Sequence, residues 1–83
     1  MTDWDKEARL MLKAELARRG ISYKVLVGKL GQLGVTETEG AIANKISRGK
    51  FSMAFFLQCM NAVGVSDVSV AVQGSLNGEN AKL

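Results

Sequence analysis

The 83-residue chain has no histidine, no proline and a single cysteine. Without histidine, imidazole metal ligands, Ser–His–Asp triads and Cys–His dyads are all excluded. Without a second cysteine no intramolecular disulfide forms, which fits a reducing, cytoplasmic setting. Without proline, the nine glycines must punctuate the chain. Apolar runs are only a few residues long, far short of the ~20 residues of a membrane span. The opening residues, Met1-Thr2-Asp3-Trp4-Asp5, are acidic and lack the apolar stretch of a secretory signal.

What is present is one small domain's worth of chain, 47% hydrophobic and 23% charged, a globular composition. The net charge is only +3, but it is unevenly spread. From Arg9 to Lys50 there are nine basic side chains against three acidic ones, while the two ends are acidic. A basic middle suits a polyanionic partner, though a solvated Lys/Arg-rich surface would look the same.

Hydrophobic spacing predicts four helices. Trp4, Ala8, Met11, Leu12 and Leu16 recur on one face of a first helix over 3–19, with Thr2 and Asp5 in the form of a capping box and Gly20 as the stop. Ser22 caps a second, running to about Leu33, with Tyr23, Leu26, Leu30 and Leu33 as the buried stripe; Gly28 and Gly31 weaken it, so that it could end earlier, near Leu30. A third runs over 37–48, from a Thr36/Glu39 capping box to Gly49, with only a thin apolar edge. The fourth, 53–63, is capped by Ser52, with Phe51 and Phe56 as a hydrophobic staple. It is apolar most of the way round, so it is expected to be central. Val68-Ser69-Val70-Ala71-Val72 then alternates like a strand, and the residues from Gln73 on are small and polar.

The order of these helices carries a resemblance. Ile21-Ser22-Tyr23 opens helix two and Leu26 through Lys29-Leu30-Gly31 lies inside it. Ile46-Ser47-Arg48-Gly49-Lys50 closes helix three, and Phe56-Leu57 through Ala62-Val63-Gly64-Val65 lies in helix four. Over Leu16 to Val65 the chain resembles the lambda-repressor-like (Cro/C1-type) helix-turn-helix superfamily, where an Ile-Glu-Arg-Gly-like close stands at the place of Ile46-Ser47-Arg48-Gly49. Leu12 to Val65 also resembles a small group of bacterial proteins of unknown function. There are three departures from the superfamily pattern. The connection Gly31–Thr38 is long, Val27 replaces a small residue, and Glu37 and Glu39 stand where phosphates would repel them.

The resemblance implies an all-α, four-helix domain over 3–65 with a C-terminal extension, 66–83, as a short strand or extended tail. It implies a regulator of transcription that binds double-stranded DNA through helix three, with no catalysis and no cofactor. If Ala43 and Ile46 face the core, Gly40, Ala41, Asn44, Lys45 and Arg48 face out. Asn44 is suited to adenine, Lys45 or Arg48 to guanine or phosphate, and Glu39 to the cytosine amine. Ser22 with Lys24, Ser52 with Lys50, and Arg18 are phosphate candidates, although plain capping explains both serines. A homodimer is implied, with Val68, Val70 and Val72 as the contact strand. No small-molecule substrate or membrane partner is indicated. The alternative is a protein-interaction module on the same fold that has lost DNA binding. Cys59, within the most apolar segment, reads as a small buried hydrophobe.

Overall fold

The computed structural model describes residues 3–68. It is all-helical there, with α1 (Trp4–Arg18), α2 (Tyr23–Gln32), α3 (Glu39–Arg48) and α4 (Met53–Ala62). Helix α1 packs on α3, and α2 packs on both α3 and α4.

Each helix starts on a side-chain cap. Asp3, Ser22, Thr38 and Ser52 accept hydrogen bonds from the backbone N–H groups of Lys6, Val25, Ala41 and Phe55. Two of these differ from the sequence expectation. Asp3 caps α1, one residue later than expected, and Asp5 pairs with Lys50. Thr38, not Thr36, caps α3. Val35 packs against the core and Glu37 pairs with Lys45, which holds the connection extended for two residues more. With Ala41 three residues after the cap, no capping box closes. Helix α2 continues through Gly31 to Gln32, with Leu33 as its C-cap, as the longer of the two expected bounds has it and not the end near Leu30.

Three of the helices end alike. The amides of Ile21, Val35 and Val65 donate back to the carbonyls of Leu16, Leu30 and Met60 across the glycine turns at 20, 34 and 64. This is the Schellman arrangement, and each of those three apolar residues also packs against the core.

The core is built from Leu12 and Leu16 of α1, Leu26 and Leu30 of α2, Ile42 and Ile46 of α3, and Phe55, Phe56, Cys59 and Met60 of α4. Full burial of each aliphatic side chain contributes roughly 1.5–3 kcal/mol. Trp4, expected on the buried stripe, is 55% exposed, because it is the first residue of α1 and lies beyond the layer set by Leu12 and Leu16. Leu33 is exposed at the end of α2, and Leu57 is exposed on α4, so α4 is not covered all round. Phe51 pairs with the Phe55 ring, 5.8 Å between centroids, one position before the expected staple partner. Val68 lies in irregular chain, half-buried against the core, and no strand occurs among the described residues. The other expected strand positions, including Val70 and Val72, lie outside the described residues.

Gly49 joins α1 to the end of α3. Its φ is +65°, and a Cβ there would come within 1.9 Å of the Asp5 carbonyl oxygen. Backbone conformation and close approach both require glycine, whereas Gly64, also at positive φ, borders open space. Gly49→Ala is therefore expected to cost clearly more than the ~1–2 kcal/mol of a left-handed alanine, and Gly64→Ala about that amount. Gly28→Ala, helical with open space around it, should add up to about 1 kcal/mol. Urea denaturation midpoints of the three variants check this order.

Candidate nucleic-acid interface

The orientation of α3 follows from its two isoleucines. Ile42 and Ile46, one turn apart, are fully buried. Ala43, expected to share the inner edge with Ile46, is only partly buried, so the helix is rotated relative to that expectation. The side opposite Ile42 and Ile46 presents Gly40, Asn44, Ser47 and Arg48, all exposed, with Ala41 at its margin. Ser47 was not among the sequence candidates. Its spacing of three from Asn44 places it on the same face, and its hydroxyl donates to the Asn44 carbonyl at 3.1 Å. Arg9 of α1 donates to the Ser47 carbonyl at 3.3 Å and steadies the end of the helix.

The rotation carries Lys45 to the flank. Its ammonium donates to Glu37 Oε2 at 2.6 Å and lies 4.7 Å from the centroid of the Phe55 ring. The Glu37 side chain is only 14% exposed, so this carboxylate depends on its cation. Lys45 is a clamp between the α2–α3 connection, α3 and α4 rather than an outward reader. The pair also cancels the charge of Glu37. Glu39 is exposed at the first turn of α3, with no ion pair among the described residues.

The phosphate candidates fall into three groups. Ser22 and Ser52 both act as caps, each hydroxyl oxygen accepting a backbone N–H. Arg18 pairs with Glu15 at 3.2 Å, as does Arg19 at 2.6 Å. Lys50 reaches Asp5 at 3.3 Å, with both side chains largely exposed. Lys24 and Arg48 have no ion-pair partner among the described residues. Among the described residues neither Arg18 nor Lys24 forms an ion pair or side-chain hydrogen bond with α3; Lys50 stands two residues after its end. Among the described residues no cluster of acidic or cysteine side chains has the grouping to hold a metal ion, and no helix is long and apolar enough to cross a membrane.

Cys59 is buried, as its setting in the sequence indicates. Burial pushes its thiol up to about 11; the Glu37 carboxylate adds to the rise and Lys45 opposes it.

The chain belongs to the family described as Domain of unknown function (DUF6471), which matches residues 4–68. No curated protein and no solved structure matches the chain.

The raised thiol has a measurable consequence. Because the folded chain holds this proton more tightly than the unfolded chain, the unfolded chain releases it first. The Cys59 contribution to stability is present below the ordinary thiol value of 9.0 and is lost as pH rises toward about 11. Urea unfolding at pH 8, 9, 10 and 11 should show a fall that is shallower in Cys59→Ala. At pH 8 an aromatic disulfide reagent should react with the thiol far faster in urea than in the folded chain.

Proposed function

We propose that this DUF6471 family member binds double-stranded DNA as a small transcriptional regulator, presenting α3 to the major groove in the manner of a lambda-repressor-like helix-turn-helix domain. The observation that carries this reading is the outer face of α3. Burial of Ile42 and Ile46 turns Gly40, Asn44, Ser47 and Arg48 outward together, and none of the four is in an ion pair among the described residues. Gly40 and Ala41 are small enough for the helix backbone to approach a groove floor. Asn44 has the amide that pairs with adenine through two hydrogen bonds, and Arg48 the fork that pairs with guanine or a phosphate. Ser47 adds a hydroxyl on the same line.

Two features of the flank support it. Glu37, an apparent obstacle to phosphates, is neutralised within the fold by Lys45. Lys50 is held only by an exposed pair with Asp5, of a kind worth about 0–1 kcal/mol, so a phosphate can compete for it. The first-turn amides at Ser52 and Ser22 would then seat neighbouring phosphates, with Lys50 and Lys24 beside them. Glu39 remains at the edge of the face, where it would accept from a cytosine amine. A protein-interaction role without DNA is favoured by a different observation, the uncovered Met53 and Leu57 of α4.

Fluorescence anisotropy on random-sequence duplex DNA across a salt series separates the two. DNA binding through this face gives a log–log slope of several units, and Arg48→Ala lowers it by about one if that guanidinium meets a phosphate. Glu37→Gln frees Lys45 and removes one negative charge beside α3, so it should steepen the salt slope by up to about one. Absence of binding at low salt contradicts the proposal.

A further inference from the structure

Helix α1 is fixed to the core by Leu12 and Leu16. At about 100° per residue, Lys6, Arg9 and Lys13 fall together on one flank of that buried side, and Glu7 and Glu15 fall on the other. Lys6 and Lys13 are exposed and Arg9 is half-buried. None of these cations is in an ion pair among the described residues. Asp5, the acid closest to this flank, is engaged by Lys50. The other flank is neutralised within the helix, where Glu15 takes up both Arg18 and Arg19.

Two contacts set which flank adjoins α3. Arg9 donates to the Ser47 carbonyl at 3.3 Å, and Gly49 lies against the Asp5 backbone. Ser47 belongs to the outward face of α3 together with Asn44, so Arg9 joins the cationic flank of α1 to that face. Lys6 and Lys13 stand further round α1 than Arg9, away from Leu12 and Leu16 and on the solvent side that the α3 face borders.

We infer that this flank of α1 is a second DNA-contact surface, on which Lys6 and Lys13 meet the phosphate backbone beside the groove that α3 enters. The inference rests on the reading of α3 as the groove-facing helix. Packed helices lie about 8–10 Å apart, and the major groove is about 12 Å wide. A helix packed beside one seated in the groove therefore lies over the groove wall, which is sugar and phosphate. Helix α1 is such a neighbour, since it packs directly on α3. Along the axis Lys6 and Lys13 are about 10 Å apart, enough to meet separate phosphates. Both side chains lack a counter-ion within the fold, so a phosphate displaces no internal partner. This surface is separate from the serine-capped starts of α2 and α4, and it uses no helix N-terminus.

Fluorescence anisotropy of the full chain on a random-sequence duplex, across a salt series, tests it. Lys6→Gln and Lys13→Gln, measured singly and together, should each flatten the log–log salt slope by about one, with an unchanged circular dichroism spectrum. Arg19→Gln removes the same charge at the other flank and should leave the slope as it is. If Arg48→Ala flattens the slope while both lysine variants keep the wild-type value, α1 stands off the duplex: the inference falls and the reading of α3 stands. If Arg19→Gln flattens the slope as much as the lysine variants do, the effect belongs to net charge and the inference falls. If the wild-type chain binds no duplex even at low salt, both fall together.

Discussion

The burial of two isoleucines governs the exposed chemistry of this chain. Helix α3 is otherwise small and polar, and Ile42 and Ile46 are its fully buried attachments to the core. Replacing either by alanine would remove contacts usually worth about 2–5 kcal/mol, and with them what fixes the rotation of α3. That rotation decides that Asn44 and Arg48 face out and that Lys45 does not. Contacts at both ends support it. At the C-terminal end, Gly49 lies against the α1 backbone at Asp5, and Arg9 holds the Ser47 carbonyl. At the N-terminal end, the Glu37–Lys45 pair lies over Phe55.

These contacts sort the cations that make the middle of the sequence look uniformly basic. Lys45 is committed to a largely buried carboxylate, and removing the lysine would leave Glu37 charged and shielded from water. Arg18 and Arg19 share Glu15, whose side chain is as shielded as that of Glu37, whereas Lys50 and Asp5 pair at the surface, where solvent screening makes the pair weak and exchangeable. Arg9, Lys13, Lys24, Lys29 and Arg48 are in no ion pair among the described residues. The positive charge available to a polyanion is therefore smaller than the composition implies. Arg48 and Lys50 place part of it at the α3–α4 turn, while α4 beyond it is uncharged.

The four helices were legible because each has a cap, a three-to-four-residue apolar repeat and a terminal glycine. Cap identity was less legible. Thr36 and Thr38 offer the same hydroxyl, and the choice between them depends on Glu37 finding Lys45 and Val35 finding the core, contacts remote in sequence. The inner edge of α3 was ambiguous for a similar reason: Ala41, Ile42, Ala43 and Ile46 admit two rotations, and packing against α1 and α2 selects one. Trp4 and Leu57 satisfied the helical repeat yet stayed exposed, because periodicity marks a face without showing where its neighbour ends. Ser47 could have been found by the spacing that identified Asn44. The Gly49–Asp5 approach had no sequence signal beyond the glycine itself.

The most direct test of the central claim, that the outward face of α3 meets DNA, is a residue-resolved one. Backbone amide resonances of the full chain, followed while a short random-sequence duplex is added at low salt, report which surface is engaged. The account predicts that the largest shifts fall at Gly40, Ala41, Asn44, Ser47, Arg48 and Lys50, with Met53 and Leu57 unchanged. Shifts centred on α4, or none at all, would contradict it.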